Sequence, residues 1–320
     1  MSGMLIPDFG VLSFCGEIRE NRGEDFRYFG FRDTVGMIAV FDGCGGSGAQ
    51  IRRCFGGHTD AYMASRAAAS AAEKWMQESR SSRSLPDMAR RTLQPRILQE
   101  LTSLIPEEER ESGCRGFLTL PTTMAALMIE GGTQDVLTVT SVSAGDSRNY
   151  LLTPSGLHQL SRDDSDQPDP FEDLYDEGAI SNIINCGKDF SLNFRTMQIP
   201  VPCILLSATD GCFAYVSTPM EFEGMLLHTL LESSDARQWE HNLHMLVQSF
   251  AGDDHTLCLA SFGYPGFGAM QDAFRSRYNL LQEQYLHPVW AAAEEDRDLR
   301  RKLWMRYRTE YMRFLESDDT

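Results

Sequence analysis

Short apolar runs bounded by turn-formers alternate with longer stretches of helical period along this chain. The run Gly36-Met37-Ile38-Ala39-Val40-Phe41 ends in Asp42-Gly43-Cys44-Gly45-Gly46. Five consecutive apolar residues are too few for a membrane span and predict a buried strand that closes on a carboxylate. Glycine after Asp42 lets the backbone turn sharply and brings the Gly43 carbonyl close to whatever Asp42 holds. Just before it, the aromatic run 26–31 is joined through Arg32-Asp33-Thr34-Val35, a connection suited to an antiparallel hairpin. Pairing Phe31 with Gly36 places Phe26 opposite Phe41, Asp25 opposite Asp42 and Glu24 beside Gly43. Directly opposed residues stand roughly 5 Å apart, so three acids crowd one place.

The remaining pattern supplies the other elements. Residues 11–18 read as a first strand and 19–25 as a polar loop. Residues 47–58 form a surface loop over the acids, and Thr59 or Asp60 is placed to cap a helix reaching about Ser79. A Ser/Arg-rich joint at 79–84 leads to a second helix over 86–104, kinked or split at Pro95. Strands over 122–129, 136–142 and 148–152 read as a meander. Residues 163–200 are acidic and weakly periodic, a long excursion with a short helix near 178–184. Another buried strand, 203–208, ends in Thr209-Asp210-Gly211, and after helices over 219–231 and 236–250, Gly252-Asp253-Asp254 opens a last strand at 256–262. With that strand antiparallel to the two that end in Asp42 and Asp210, these acids gather on one sheet edge. Like charges at that spacing are tolerated mainly around a cation, and all-oxygen donors suit Mg²⁺ or Mn²⁺. Taken alone, Asp42-Gly43 is equally an ordinary strand-to-loop turn.

Charge narrows the function. The net charge is −17; residues 266–320 carry nine Lys/Arg against ten Asp/Glu, net −1, so the preceding body holds −16. That argues against nucleic acid and against an anionic membrane as partners. No leader pattern opens the chain and no apolar run is long enough to span a bilayer, which gives a cytoplasmic expectation. The eight cysteines, at 15, 44, 54, 114, 186, 203, 212 and 258, form no Cys-x-x-Cys pair and several lie within apolar strands. Neither structural zinc nor disulfides are expected.

In chain order the motifs are an acid pair before a strand, Asp-Gly-x-Gly-Gly after the next, Thr122-Thr123, Gly145-Asp146-Ser147-Arg148, Asp210-Gly211 after an aliphatic run, and Asp253-Asp254-x-Thr256. Each is short, but six in this order resemble the metal-dependent type 2C serine/threonine phosphatases over about residues 9–263. The resemblance implies an α+β fold, a four-layer α/β/β/α sandwich of two antiparallel sheets with helices on both outer faces. It implies a catalytic domain over 1–265, with 266–320 as a helical extension outside the family core. It implies two Mn²⁺ or Mg²⁺ ions: Asp42 bridging, Glu24 and the Gly43 carbonyl completing one shell, Asp210 and Asp253 holding the other. Asp146 with Asp210 matches the site of a third, weaker ion, and Asp25 matches an acid that orients a metal-bound water. The implied reaction is direct attack on a phosphoserine or phosphothreonine of a protein substrate by a metal-bridging hydroxide.

The chain departs from that pattern in places. The phosphate-binding arginine of the family stands four residues before the glutamate, where this chain has Glu20. A one-residue insertion moves the role to Arg19, ahead of Arg22. Cys44 and Asp164 occupy positions where animal members carry histidines, which leaves the leaving-group acid open. Cys44 reads as a small loop residue, its thiol pKa raised by nearby acids. Among the histidines only His58 is kept as a candidate acid, and Arg148 reads equally as a salt-bridge partner or a substrate contact. Competing functions are a catalytically silent binding module and a phosphatase of a small phosphoester.

The extension reads as a helical hairpin. Phe267, Met270, Phe274, Tyr278, Leu281 and Tyr285 make one aromatic stripe and Leu299, Leu303, Tyr307, Tyr311 and Phe314 another, with Pro288 near the break. Two such helices cannot bury both stripes against each other. The surplus is expected to dock on the body, with association with a partner or a second copy through 266–320 as the alternative.

Overall fold

A computed structural model describes residue 6 and residues 9–32, 34–79, 85–107, 119–132, 135–167, 169–176, 178–293 and 296–316. Most of the joint expected at 79–84, and Cys114, lie outside them. Two five-stranded antiparallel sheets face each other. The first runs β1 (Phe9–Gly16), β10 (His255–Phe262), β9 (Cys203–Ala208), β6 (Arg148–Thr153) and β7 (Gly156–Gln159); the second runs β2 (Phe26–Phe31), β3 (Val35–Phe41), β4 (Met124–Gly131), β5 (Val136–Ala144) and β8 (Asn193–Pro200). The continuous apolar runs are strands buried on both faces. In β3, Ile38 and Val40 join the core between the sheets, while Met37, Ala39 and Phe41 face the helices α1 (Asp60–Glu78) and α2 (Leu85–Leu104). In β9, Cys203 and Leu205 face inward, while Ile204, Leu206 and Ala208 meet the helices α4 (Pro219–Leu231) and α5 (Ala236–Gln248). This alternation stacks helix, sheet, sheet and helix layers as expected.

The β2–β3 register runs from Phe26 opposite Phe41 to Phe31 opposite Gly36, as the hairpin reading requires. Thr59 is the cap of α1, its side chain accepting from Tyr62 N at 3.1 Å. Three readings need correction and a fourth is narrowed. The meander ends after β4–β5: β6 crosses to the other sheet and pairs with β9 and β7. Residues 193–200 are a strand, β8, paired along β5, and not part of an excursion. No helix forms at 178–184, where bridges from Ile180 to Ser165 and from Ile184 to Thr122 hold the chain extended; the short helix is instead α3 (Pro170–Asp173). Pro95 lies inside α2 without splitting it.

The extension forms α6 (Phe267–Leu281), a π turn (Gln282–Leu286), α7 (His287–Ala291), α8 (Arg297–Tyr311) and α9 (Arg313–Glu316). It docks on the body. Met270, Phe274, Trp304, Tyr307 and Tyr311 belong to the same buried cluster as Phe222, Leu226 and Leu257. At its centre Glu223 of α4 is fully buried and receives Arg277 Nε and Nη2 of α6, both at 2.7 Å, and the Tyr307 hydroxyl of α8 at 2.5 Å. The Gln271 amide also donates to the carbonyls of Leu230, Leu231 and Ser233 at the end of α4.

Candidate active site

Both sheets send acids to one end of the sandwich. Asp25 precedes β2 and Asp42 follows β3 in one sheet; Asp210 follows β9 and Asp253 precedes β10 in the other; Asp146 sits in the β5–β6 crossover between them. The convergence expected on one sheet edge is therefore a convergence across the sandwich. Asp42 feels the charges of Asp25, Asp146 and Asp253, and Asp210 those of Asp42, Asp146 and Asp253. Burial first, and then this repulsion, holds Asp42 and Asp210 far above the usual carboxylate range. Asp25 is also raised, by burial above all, although the Thr209 hydroxyl donates to its Oδ2 at 2.8 Å. Asp146 is pushed up to about 6 by burial and then by Asp163.

Threonines and two further acids fix the backbone around these groups. Thr122 Oγ1 donates to the Asp42 carbonyl at 2.7 Å, Thr123 N donates to the same carbonyl, and the Asp42 amide reaches Thr123 Oγ1 at 3.3 Å. Gly145, at φ 93°, carries Asp146 through a turn so close to Thr123 that a Cβ there would lie 2.7 Å from its methyl. Asp164 accepts the Gly145 amide at 3.1 Å, so it props the turn that presents Asp146. Asp254 accepts from Ile18 N at 2.9 Å and Glu24 N at 2.7 Å, tying the loop after β1 to the start of β10. Gly43 is needed on other grounds than those its sequence suggests: a Cβ there would meet the Ala61 carbonyl at 2.6 Å and the Glu24 carbonyl at 2.7 Å.

A cleft of about 780 Å³ opens beside Glu24 and Asp253 and is bordered by both Arg19 and Arg22. The turn between them closes with Arg22 N on the Arg19 carbonyl at 2.9 Å and Asn21 at φ 58°. Glu24 is raised by burial, offset by the Thr59 hydroxyl on its Oε1. A second cavity of about 290 Å³ is bordered by Asp146, Asp173, Asp210, Phe213 and Tyr215.

Several candidate roles are narrowed by position. Arg148 is buried and pairs with Asp163 at 2.6 Å and Asp173 at 3.1 Å, a structural ion pair. His58 stacks on Tyr62 with ring centroids 3.9 Å apart and borders neither cavity. Cys44 is raised by burial and then by Asp42, Asp146 and Asp210, which keeps it a neutral thiol. Asp254 went unassigned in the sequence, which marks Asp164 only as standing in place of a family histidine. The doubled Asp253-Asp254 could have marked the first; nothing local marks the second as the support of Gly145.

No protein-family model and no curated protein matches the sequence. Solved structures do. The Mycobacterium tuberculosis serine/threonine phosphatase PstP/Ppp is 21% identical, covering 81% of this chain and 99% of that one, with a TM-score of 0.55. Stp1 of Staphylococcus aureus is 16% identical, covering 82% and 98%, at 0.59.

The fold is that of the type 2C phosphatases.

Another solved structure with this type 2C fold is the PstP catalytic domain in complex with two manganese ions, 20% identical, covering 81% of this chain and 99% of that one, TM-score 0.51. In the present chain the donor chemistry at the acidic end of the sandwich fits a hard cation. Every side-chain donor is a carboxylate, Asp25 Oδ1 and Asp146 Oδ1 are buried without a hydrogen-bond partner, and the carboxyls of Asp25, Asp42 and Asp146 are raised in a way a cation would reverse. Among the described residues no group of three or more His, Cys, Asp or Glu side chains is arranged so that it could hold a metal ion as it stands.

Proposed function

We propose that this protein is a metal-dependent serine/threonine protein phosphatase. The observation that carries the reading is the convergence of Asp42, Asp146, Asp210 and Asp253 from both sheets beside a cleft bordered by Arg19 and Arg22. Asp42, Glu24, the Gly43 carbonyl, Asp210 and Asp253 would hold two Mn²⁺ or Mg²⁺ ions, and Asp146 with Asp210 would hold a third. When bound, such ions would acidify water and neutralise phosphoryl oxygens. The chain's own groups do the rest. Asp25, held through Oδ2 by Thr209, keeps Oδ1 available to orient a water or accept its proton. A guanidinium fork grips phosphoryl oxygens in two places. The raised Cys44 thiol is no nucleophile, so a phosphoenzyme on sulfur is not expected.

Arg19 takes the phosphate role, since of the two arginines bordering the cleft it stands nearer the end of β1, where its side chain is better supported. Arg19→Ala is expected to lower kcat/KM roughly 10- to 100-fold, mainly through KM, and Arg22→Ala to do less, because a hydrogen bond to a charged group is worth ~1.5–3 kcal/mol. The reverse order in a kinetic comparison would move the role to Arg22.

Turnover of phosphoserine and phosphothreonine peptides beside a panel of phosphorylated metabolites, with and without Mn²⁺, tests the reading. Peptide hydrolysis that needs metal is the expected result. Hydrolysis of metabolites alone would favour a small-phosphoester enzyme. No hydrolysis of either would favour a silent binding module.

A further inference from the structure

Two isoleucines border the cleft beside Arg19 and Arg22, and both are open to solvent: Ile18 is 49% exposed and Ile51 58%. A single exposed apolar side chain is ordinary on a protein surface. These two are held in place by the groups that build the site. The Ile18 amide is fixed on Asp254 Oδ1, the same carboxylate that holds the Glu24 amide. Ile51 is bridged to Thr59, whose hydroxyl is bonded to Glu24, and the next residue, Arg52, forms a buried ion pair with Asp60 at 2.6 Å. Both backbones are thus tied to the groups around Glu24, which fixes two aliphatic surfaces at the border of one cleft. The same cleft is bordered by Glu24, Asp253 and Asp254, in a body that carries −16 of the chain's −17 net charge.

Taking the phosphatase reading as given, we infer that Ile18 and Ile51 form an apolar subsite for the residues next to the phosphorylated serine or threonine. The cleft takes phosphosites flanked within two positions by aliphatic or aromatic side chains and rejects acidic flanks. An extended peptide advances about 3.3 Å per residue, so residues one or two places from a phosphate held at Arg19 stay within the cleft's reach. Apolar flanks bury aliphatic surface there, whereas Asp or Glu flanks set a charge against the two isoleucines and lose hydration.

The test uses three phosphothreonine peptides that differ only in flanks of Leu, Ser or Asp. The unaltered protein with Mn²⁺ should prefer the Leu-flanked peptide over the Ser-flanked one about tenfold in kcat/KM (~1.4 kcal/mol) and hydrolyse the Asp-flanked one most slowly. In Ile18→Ser with Ile51→Ser the Leu-to-Ser ratio should fall to about one. A ratio is read within each variant, so a general loss of activity does not imitate the effect. Fluorescence anisotropy of the same labelled peptides on Asp210→Asn protein should give the same order of affinity. Equal turnover of Leu and Ser peptides by the unaltered protein, or a preference that survives the double substitution, would overturn the subsite. Flank-dependent binding without any turnover would support the subsite and overturn the phosphatase reading instead.

Discussion

Asp210→Asn is expected to reduce metal-dependent turnover by about a thousandfold or more, with the fold and the melting temperature preserved. The residue caps β9 and begins a short helical turn, and its Oδ1 accepts the Gly211 amide at 2.8 Å. An asparagine oxygen can accept the same bond, so the turn keeps its anchor. What the substitution removes is one negative charge from a group that includes Asp42, Asp146 and Asp253. Losing a mutually repelling charge does not destabilise metal-free protein, but it weakens attraction for every ion Asp210 would share. A metal ion supplies several kcal/mol of transition-state stabilisation, and ~4 kcal/mol corresponds to about a thousandfold. Steady-state kinetics with a thermal melt of the same sample checks this. A variant within about tenfold of the unaltered rate would remove Asp210 from the metal centre.

Arg277→Met has the largest expected effect on stability. It leaves Glu223 with no cation in a site closed to solvent, and breaking one partner of a buried pair costs about 3–5 kcal/mol. Calorimetry should show a fall in Tm on the order of 10 °C. Adding Glu223→Gln should recover part of it, because the stranded charge is then gone while the Tyr307 hydroxyl keeps an acceptor. A drop below about 2 °C would mean that the extension contributes little to the body. The same contacts bear on a chain ending at Gly263. Every candidate site residue precedes Gly263, so such a chain is expected to keep activity if it stays soluble. Removing α6 to α9 strands Glu223 and uncovers the apolar faces of Phe222 and Leu226, so solubility is the condition expected to fail.

The hairpin of β2 and β3 was legible to the residue because a four-residue connection leaves one natural register, and that register alone brings Asp25 and Asp42 together. The doubly buried strands β3 and β9 were legible from their unbroken apolar runs. The crossover at Gly145-Asp146-Ser147 was not, since a short polar turn after β5 looks the same whether the next strand pairs back or passes to the other sheet. β8 was hidden because it lies at the edge of its sheet, where most side chains are partly or fully exposed and carry little apolar period. Glu223 gave no signal either. An acid on a helix ordinarily reads as solvated, and its partner lies 54 residues away on the extension. Asp164 shows the same limit at the site itself: its task is to hold the Gly145 amide across 19 residues, and only the folded chain brings the two together.

The most direct test of the account follows phosphate release from a phosphothreonine peptide as Mn²⁺ is titrated into chelator-stripped protein, with bound metal counted on the same sample. The account predicts no release without metal and a rise that tracks the binding of two ions per chain. Release that persists in chelator, or full metal binding with no release from any phosphopeptide, would contradict it.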